Sequence, residues 1–116
     1  MLTPEGYALL GGEAPVGAGV FIAAMDYAGV LETAESAVKK VIASGDISGL
    51  LIYPSLSRNL MLEANTDDEM EKIIETLGGN YPYQVCYSGG EICPVSTGDG
   101  KLLNRIHNFT LVICAF

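Results

Sequence analysis

The residues best suited to chemistry lie in the closing third of the chain. Tyr87-Ser88-Gly89-Gly90-Glu91-Ile92-Cys93-Pro94 is followed, after a Gly-rich turn, by Asn104-Arg105-Ile106-His107-Asn108-Phe109-Thr110. His107 is the single histidine, and Glu91 has no basic residue near it in sequence. A carboxylate beside an imidazole favours the charged form of both. Such a pair suits three tasks: orienting a ligand amine or hydroxyl, acid–base chemistry, or locking a hairpin.

Asp99-Gly100 is the signal that brings the two together, because Asp-Gly is a strong hairpin turn. A turn centred there sets Glu91 opposite His107 or Asn108. Along the final strand, His107, Phe109, Leu111 and Ile113 share one face, and Asn108, Thr110, Val112 and Cys114 share the other. His107 and Asn108 therefore enter one pocket only where the strand bulges or lies at an open edge.

Arg58 follows an expected strand, in the connection where α/β ligands tend to bind. A guidinium there can hold a carboxylate bidentately. The competing reading is a surface arginine paired with an acid. Cys86 and Cys93 are within reach of the hairpin, so a Cys–His nucleophile is conceivable. Cys86, however, sits mid-strand between Val85 and Tyr87 and reads as a buried, inert thiol. Gly11-Gly12 and Gly89-Gly90 lack the Lys-Ser/Thr of a P-loop and the spacing of a dinucleotide fingerprint.

The elements that must position these groups follow from periodicity. Tyr7 to Leu10 is a short strand candidate closed by Gly11-Gly12. Gly19 to Met25 is a continuous apolar run that suits a central strand. Asp26 stands at a helix N-cap position. From Val30 to Ser44 the period is helical, with Leu31, Ala34, Val38, Val41 and Ile42 on one face and Glu35 paired with Lys39. Leu50 to Tyr53 is a strand stopped by Pro54, and a polar connection through Arg58 follows. Thr66-Asp67-Asp68-Glu69 reads as a capping box. Behind it, Met70, Ile73, Ile74 and Leu77 form a buried helical face, and the acids Asp67, Asp68, Glu69, Glu71 and Glu75 form a solvated outer one. Gly78-Gly79 ends that helix. Tyr83 to Ser88 and Ile106 to Ala115 are the last strands. The expected architecture is an α+β two-layer sandwich. A mixed sheet of about five strands carries two helices on one face, in the order β-β-α-β-α-β-β. That order also fits a chorismate-mutase-like core.

Length and composition bound the function. The chain has 116 residues, 49% hydrophobic and 17% charged, which suits one globular domain over residues 1–116. A net charge of −8 argues against nucleic acid and against anionic membrane surfaces. The cysteines are odd in number and form no CxxC pair, which favours reduced thiols in a cytoplasmic setting and speaks against structural zinc. No stretch has the length of a transmembrane helix, and the start lacks the pattern of a signal peptide.

The block from Tyr87 to Pro94, then Gly100, then His107-Asn108-Phe109-Thr110-Leu111 resembles the closing signature of FIST proteins. Ala14-Pro15-Val16-Gly17 resembles that family's Pro-x-Gly turn, and Leu51 to Arg58 resembles its strand-to-Arg segment. Many members place a cysteine in that segment, whereas Tyr53 to Leu56 has none. The resemblance implies the later part of a FIST C-terminal domain, without the N-terminal half. It further implies a bacterial-type sensory module in signal transduction that binds a small ligand such as an amino acid. The ligand-site candidates it carries are Arg58, Tyr87, Glu91, His107, Asn108 and Thr110.

The leading expectation is a non-catalytic sensor with a small-molecule ligand and neither metal nor cofactor. Its partners would be a second copy, a FIST N-terminal half or a signalling output domain. Two alternatives stand beside it. One is an interaction or oligomerisation module using the sheet edge and the C-terminal strand. The other is a small chorismate-mutase-like enzyme with Glu91 and His107 as acid and base.

Overall fold

The computed structural model describes residues 3–10, 13–21 and 24–116. The first helix, α1 (Tyr27–Ile42), starts where Asp26 accepts a hydrogen bond from the Gly29 amide at 2.8 Å. That cap lies four residues ahead of Val30, where the periodic pattern starts, so the helix begins earlier than periodicity alone marks. Lys39 and Lys40 close its last turn, where cations complement the helix dipole. Lys39 pairs with Glu35 as the spacing predicts.

β1 (Leu50–Pro54) follows, then a short helix α2 (Leu56–Met61) in place of the expected polar loop. α3 (Asp68–Leu77) ends at Gly78, whose φ of 62° is the left-handed conformation that glycine adopts without strain. Asp67 sits at its N-cap without a side-chain cap bond, and the Thr66–Glu69 capping box does not form. Glu69 has turned inward instead.

Four strands complete the described chain: β2 (Tyr83–Val85), β3 (Glu91–Ser96), β4 (Leu102–His107) and β5 (Leu111–Ala115). The fold is α+β, with its five strands divided between two sheets rather than joined in one. The larger has the order β2-β1-β5, parallel between β1 and β2 and antiparallel between β1 and β5. The smaller is the β3–β4 hairpin, with Glu91 opposite His107 and Ser96 opposite Leu102.

The division has a local cause. Phe109 takes φ of 60°, a conformation that breaks an extended chain. The expected strand from Ile106 to Ala115 is therefore two strands, one serving each sheet. β3, the arm of the hairpin that Asp99-Gly100 implies, contains Pro94, a residue that normally argues against a strand.

Alternate residues of the larger sheet face opposite ways. Leu50 and Ile52 pack with Ala34 and Val38 of α1 and with Ile73 and Leu77 of α3 to form the core. Leu111, Ile113 and Val85 join its margin. Leu51, Tyr53, Val112 and Cys114 belong to the opposite, helix-free face.

Towards the N-terminus, the strand expected at Tyr7–Leu10 amounts to a single bridge at Ala8, and the Gly11-Gly12 closure lies outside the described residues. The apolar run Gly19–Met25 holds no strand where it is described, and residues 22 and 23 of it lie outside the described set. No strand among the described residues pairs with this run, so Val20 and Phe21 are exposed.

Candidate functional site

Tyr87 and Ser88 are neighbours in extended chain between β2 and β3, so their side chains point to opposite sides. This alternation sorts the candidate residues into two separate clusters.

On the helix side lies Arg58, which sequence position assigned to a surface loop. It is 3% exposed, because residues 56–61 coil into α2 and swing the side chain under α1 and α3. Its Nε donates to Glu69 Oε1 at 2.7 Å. Its Nη2 donates to the Val30 carbonyl at 2.9 Å and to Thr33 Oγ1 at 3.0 Å. One guanidinium thus ties all three helices together. Its Glu69 partner is also fully buried. Burial raises the Glu69 pKa above its ordinary value, with Arg58 opposing the shift. The other Glu69 oxygen and the Tyr87 hydroxyl are buried on the same side, where Tyr87 and Asn59 are their respective polar neighbours. Burial, reinforced by the Glu69 charge, pushes the Tyr87 phenol up.

On the helix-free side, Glu91 opens β3 and is 3% exposed. Ser88 Oγ donates to its Oε1 at 2.6 Å, and Thr110 Oγ1 donates to its Oε2 at 2.8 Å. Backbone bonds fix both hydroxyls. Ser88 N–H donates to the Pro54 carbonyl at 2.9 Å, Leu56 N–H to the Ser88 carbonyl at 2.8 Å, and Ser55 N–H to the Thr110 carbonyl at 2.9 Å. The end of β1 therefore serves as the platform on which the carboxylate is held.

No Lys, Arg or His nitrogen among the described residues forms an ion pair with Glu91. A buried carboxylate gains most from a paired countercharge, and here hydroxyl dipoles alone supply that role. A groove of about 330 Å³ runs past it, lined by Tyr53, Ser88, Gly90, Glu91, Ile92, Val112 and Cys114. The size lies within the range of small-ligand sites, roughly 300–1,000 Å³. One wall is the open face of the β1/β5 sheet, and the other is the root of the hairpin.

His107 is directly opposite Glu91 in the ladder. Its Nε2 is buried without a hydrogen-bond partner among the described residues, and it does not line the groove. Asn108 is exposed in the turn before β5. Of the six sequence candidates, then, the structure joins Glu91 and Thr110, sets His107 beside them, leaves Asn108 at the surface, and places Arg58 and Tyr87 in the helix-side cluster. Ser88 and Glu69 were missed as candidates. Ser88 stands three residues before Glu91 across Gly89-Gly90, a spacing that lets the chain turn back. Glu69 carried no separate signal, since an acid early in a helix reads as a cap.

Among the described residues no group of His, Cys, Asp and Glu side chains is placed to hold a metal ion, and no helix is long and apolar enough to cross a membrane.

Comparison with known proteins gives one result. No curated protein and no solved structure matches the chain. A family model, the FIST C domain, matches residues 1–94. That span contains α1, α2 and α3, the larger sheet except β5, and Arg58, Tyr87, Ser88 and Glu91; His107, Asn108 and Thr110 lie beyond it. The match takes in most of the chain, and the family is one of sensory domains in signal transduction: the chain belongs to the FIST C domain family.

Proposed function

We propose that this chain is a non-catalytic sensory domain that receives a small zwitterion, an amino acid, in the groove beside Glu91. The observation that carries the reading is the buried Glu91 carboxylate, held by Ser88 and Thr110 and lacking a cation among the described residues, on the wall of a groove of about 330 Å³. A ligand ammonium supplies the countercharge, and the carboxylate retains lone pairs to accept from it. The apolar part of the ligand lies against Tyr53, Ile92 and Val112. Among the described residues the Gly90 amide enters none of the turn and loop hydrogen bonds, and Gly90 lines the groove, so this amide can receive the ligand carboxylate.

In this reading Ser88 and Thr110 position Glu91, and His107 backs the rung on which Glu91 stands. Arg58 and Tyr87 support the helices and do not touch the ligand. The free thiols of Cys86, Cys93 and Cys114 accord with a cytoplasmic setting.

The test is a thermal-shift series with free amino acids and their N-acetyl derivatives, which lack the ammonium. A ligand of the native state raises the melting temperature by mass action. Free amino acids with apolar side chains are expected to raise it, and the acetylated forms are not. Glu91→Gln should abolish the response. Val112→Trp, which fills the groove and leaves the carboxylate in place, should abolish it as well. Equal shifts from free and acetylated forms, or an undiminished response in both variants, would defeat the proposal.

A further inference from the structure

We propose that two copies of this chain pair through the free edges of their β4 strands, forming a continuous four-stranded antiparallel sheet around a two-fold axis at Asn104.

One backbone bond fixes the geometry of that edge. Thr97 N–H donates to the Lys101 carbonyl at 2.8 Å, so the Thr97–Lys101 rung is hydrogen-bonded. Rungs alternate in an antiparallel ladder. Val95–Leu103, Cys93–Arg105 and Glu91–His107 are therefore hydrogen-bonded too, whereas Ser96–Leu102, Pro94–Asn104 and Ile92–Ile106 are not. Pro94 fits this assignment, because its nitrogen has no hydrogen to give β4. It follows that the N–H and C=O groups of Leu102, Asn104 and Ile106 point away from β3, towards the outer edge. β3 lies against β5, while β4 packs chiefly on β3, so that outer edge is open among the described residues.

Open edges invite pairing and are usually blunted by proline, lysine or a bulge. Leu102–His107 contains neither proline nor lysine and pairs with β3 in unbroken register. A lone two-stranded sheet is also only marginally stable in water.

A second copy of this chain is the occupant that this edge fits. With the axis at Asn104, that residue meets the partner's Asn104. Leu102 then meets the partner's Ile106, and Ile106 meets the partner's Leu102. Each outward N–H and C=O of these residues gains a mate. Leu102 is 70% exposed and Ile106 is 75% exposed, and in this register they meet each other. Arg105 falls opposite the partner's Leu103, so no rung opposes like charges. Charge selects the same region. The chain carries −8, but across residues 91–107 Glu91 and Asp99 are cancelled by Lys101 and Arg105. Two copies repel each other elsewhere and approach here without that penalty.

The test is sedimentation of the full chain from micromolar to submillimolar concentration. The wild type is expected to dimerise. Asn104→Pro removes the outward N–H at the axis without removing a bond to β3, so it should weaken the dimer at least tenfold with circular dichroism unchanged. Asn104→Cys provides a second measurement, because the axis sets the two thiols within disulfide reach. With Cys86, Cys93 and Cys114 replaced by serine, mild oxidation should link it into dimers, whereas Ser96→Cys in the same background, away from the axis on β3, should stay unlinked. A wild type that sediments as a monomer throughout overturns the proposal. So does an Asn104→Pro variant that dimerises as tightly as wild type, or cross-linking that is equal for the two cysteine variants.

Discussion

Thr110 donates its hydroxyl to Glu91 across 2.8 Å, and that bond ties the first residue of the hairpin to the residue that leads into β5. Thr110→Val keeps the shape of the side chain and removes the donor. One oxygen of a buried carboxylate is then left without its partner, at a cost of about 1–3 kcal/mol. The urea midpoint should fall with the slope unchanged. Ser88→Ala should act similarly. The double variant should depart from the sum of the two, because both hydroxyls serve one carboxylate. Strict additivity would show that the two bonds act independently.

Arg58 and Glu69 form the buried ion pair of the helix layer. Arg58→Met leaves Glu69 buried without its cation, and truncating one partner of such a pair costs roughly 3–5 kcal/mol. Replacing both, with Arg58→Met and Glu69→Leu together, removes the stranded charge and should recover much of that loss. Chemical denaturation of the two singles and the double gives the answer, and a double variant weaker than either single would contradict the account.

The pH dependence of the same pair has a definite sign. Burial raises the Glu69 pKa in the folded chain above its ordinary 4.5. The folded state therefore binds this proton more tightly than the unfolded state does. The stabilising contribution is full below about 4.5 and is lost as the pH rises through the higher folded value. Wild-type stability relative to Glu69→Gln should decline with rising pH across that window, as followed by urea denaturation at successive pH values. A difference that grows with pH would reverse the assignment.

Phe109 holds φ of 60°, which costs a residue of this kind about 1–2 kcal/mol. Asparagine tolerates this conformation. Phe109→Asn relieves that strain and removes a ring that is 42% exposed, so the two effects offset and stability should change by less than about 1 kcal/mol in either direction. A loss above that size would show that the ring is held by contacts worth more than the strain.

Gly49 lies against the Phe116 ring, and an added Cβ would come within 2.8 Å of it. The ring is 65% exposed and free to swing. Gly49→Ala should therefore shift the melting temperature only slightly, within about 0.5 kcal/mol of wild type.

What the sequence disclosed depended on how local each signal was. The helical period of α1 and α3 was plain, and Asp99-Gly100 located the Glu91–His107 rung to within a residue. Pro94 concealed β3, since its harmless position on an outward-facing rung depends on register. The break at Phe109 had no glycine to announce it. The burial of Arg58 arises from three helices meeting around one guanidinium, a relation that no local pattern carries. Tyr87 and Ser88 looked like parts of one polar block, and strand alternation sent them to different sides of the sheet.

The node at Ser88, Glu91 and Thr110 has a mechanical consequence. It sits at the root of a hairpin whose arms, at about 3.3 Å per residue, reach roughly 20 Å from it. Residues 98–106 are exposed, so within one copy the hairpin projects as a lever from the groove. A rotation of about five degrees at the pivot moves the tip by about 2 Å over such a length. In the proposed reading, a ligand seated against Glu91 would act at the pivot of that lever, with Asp99 and Gly100 at its far end.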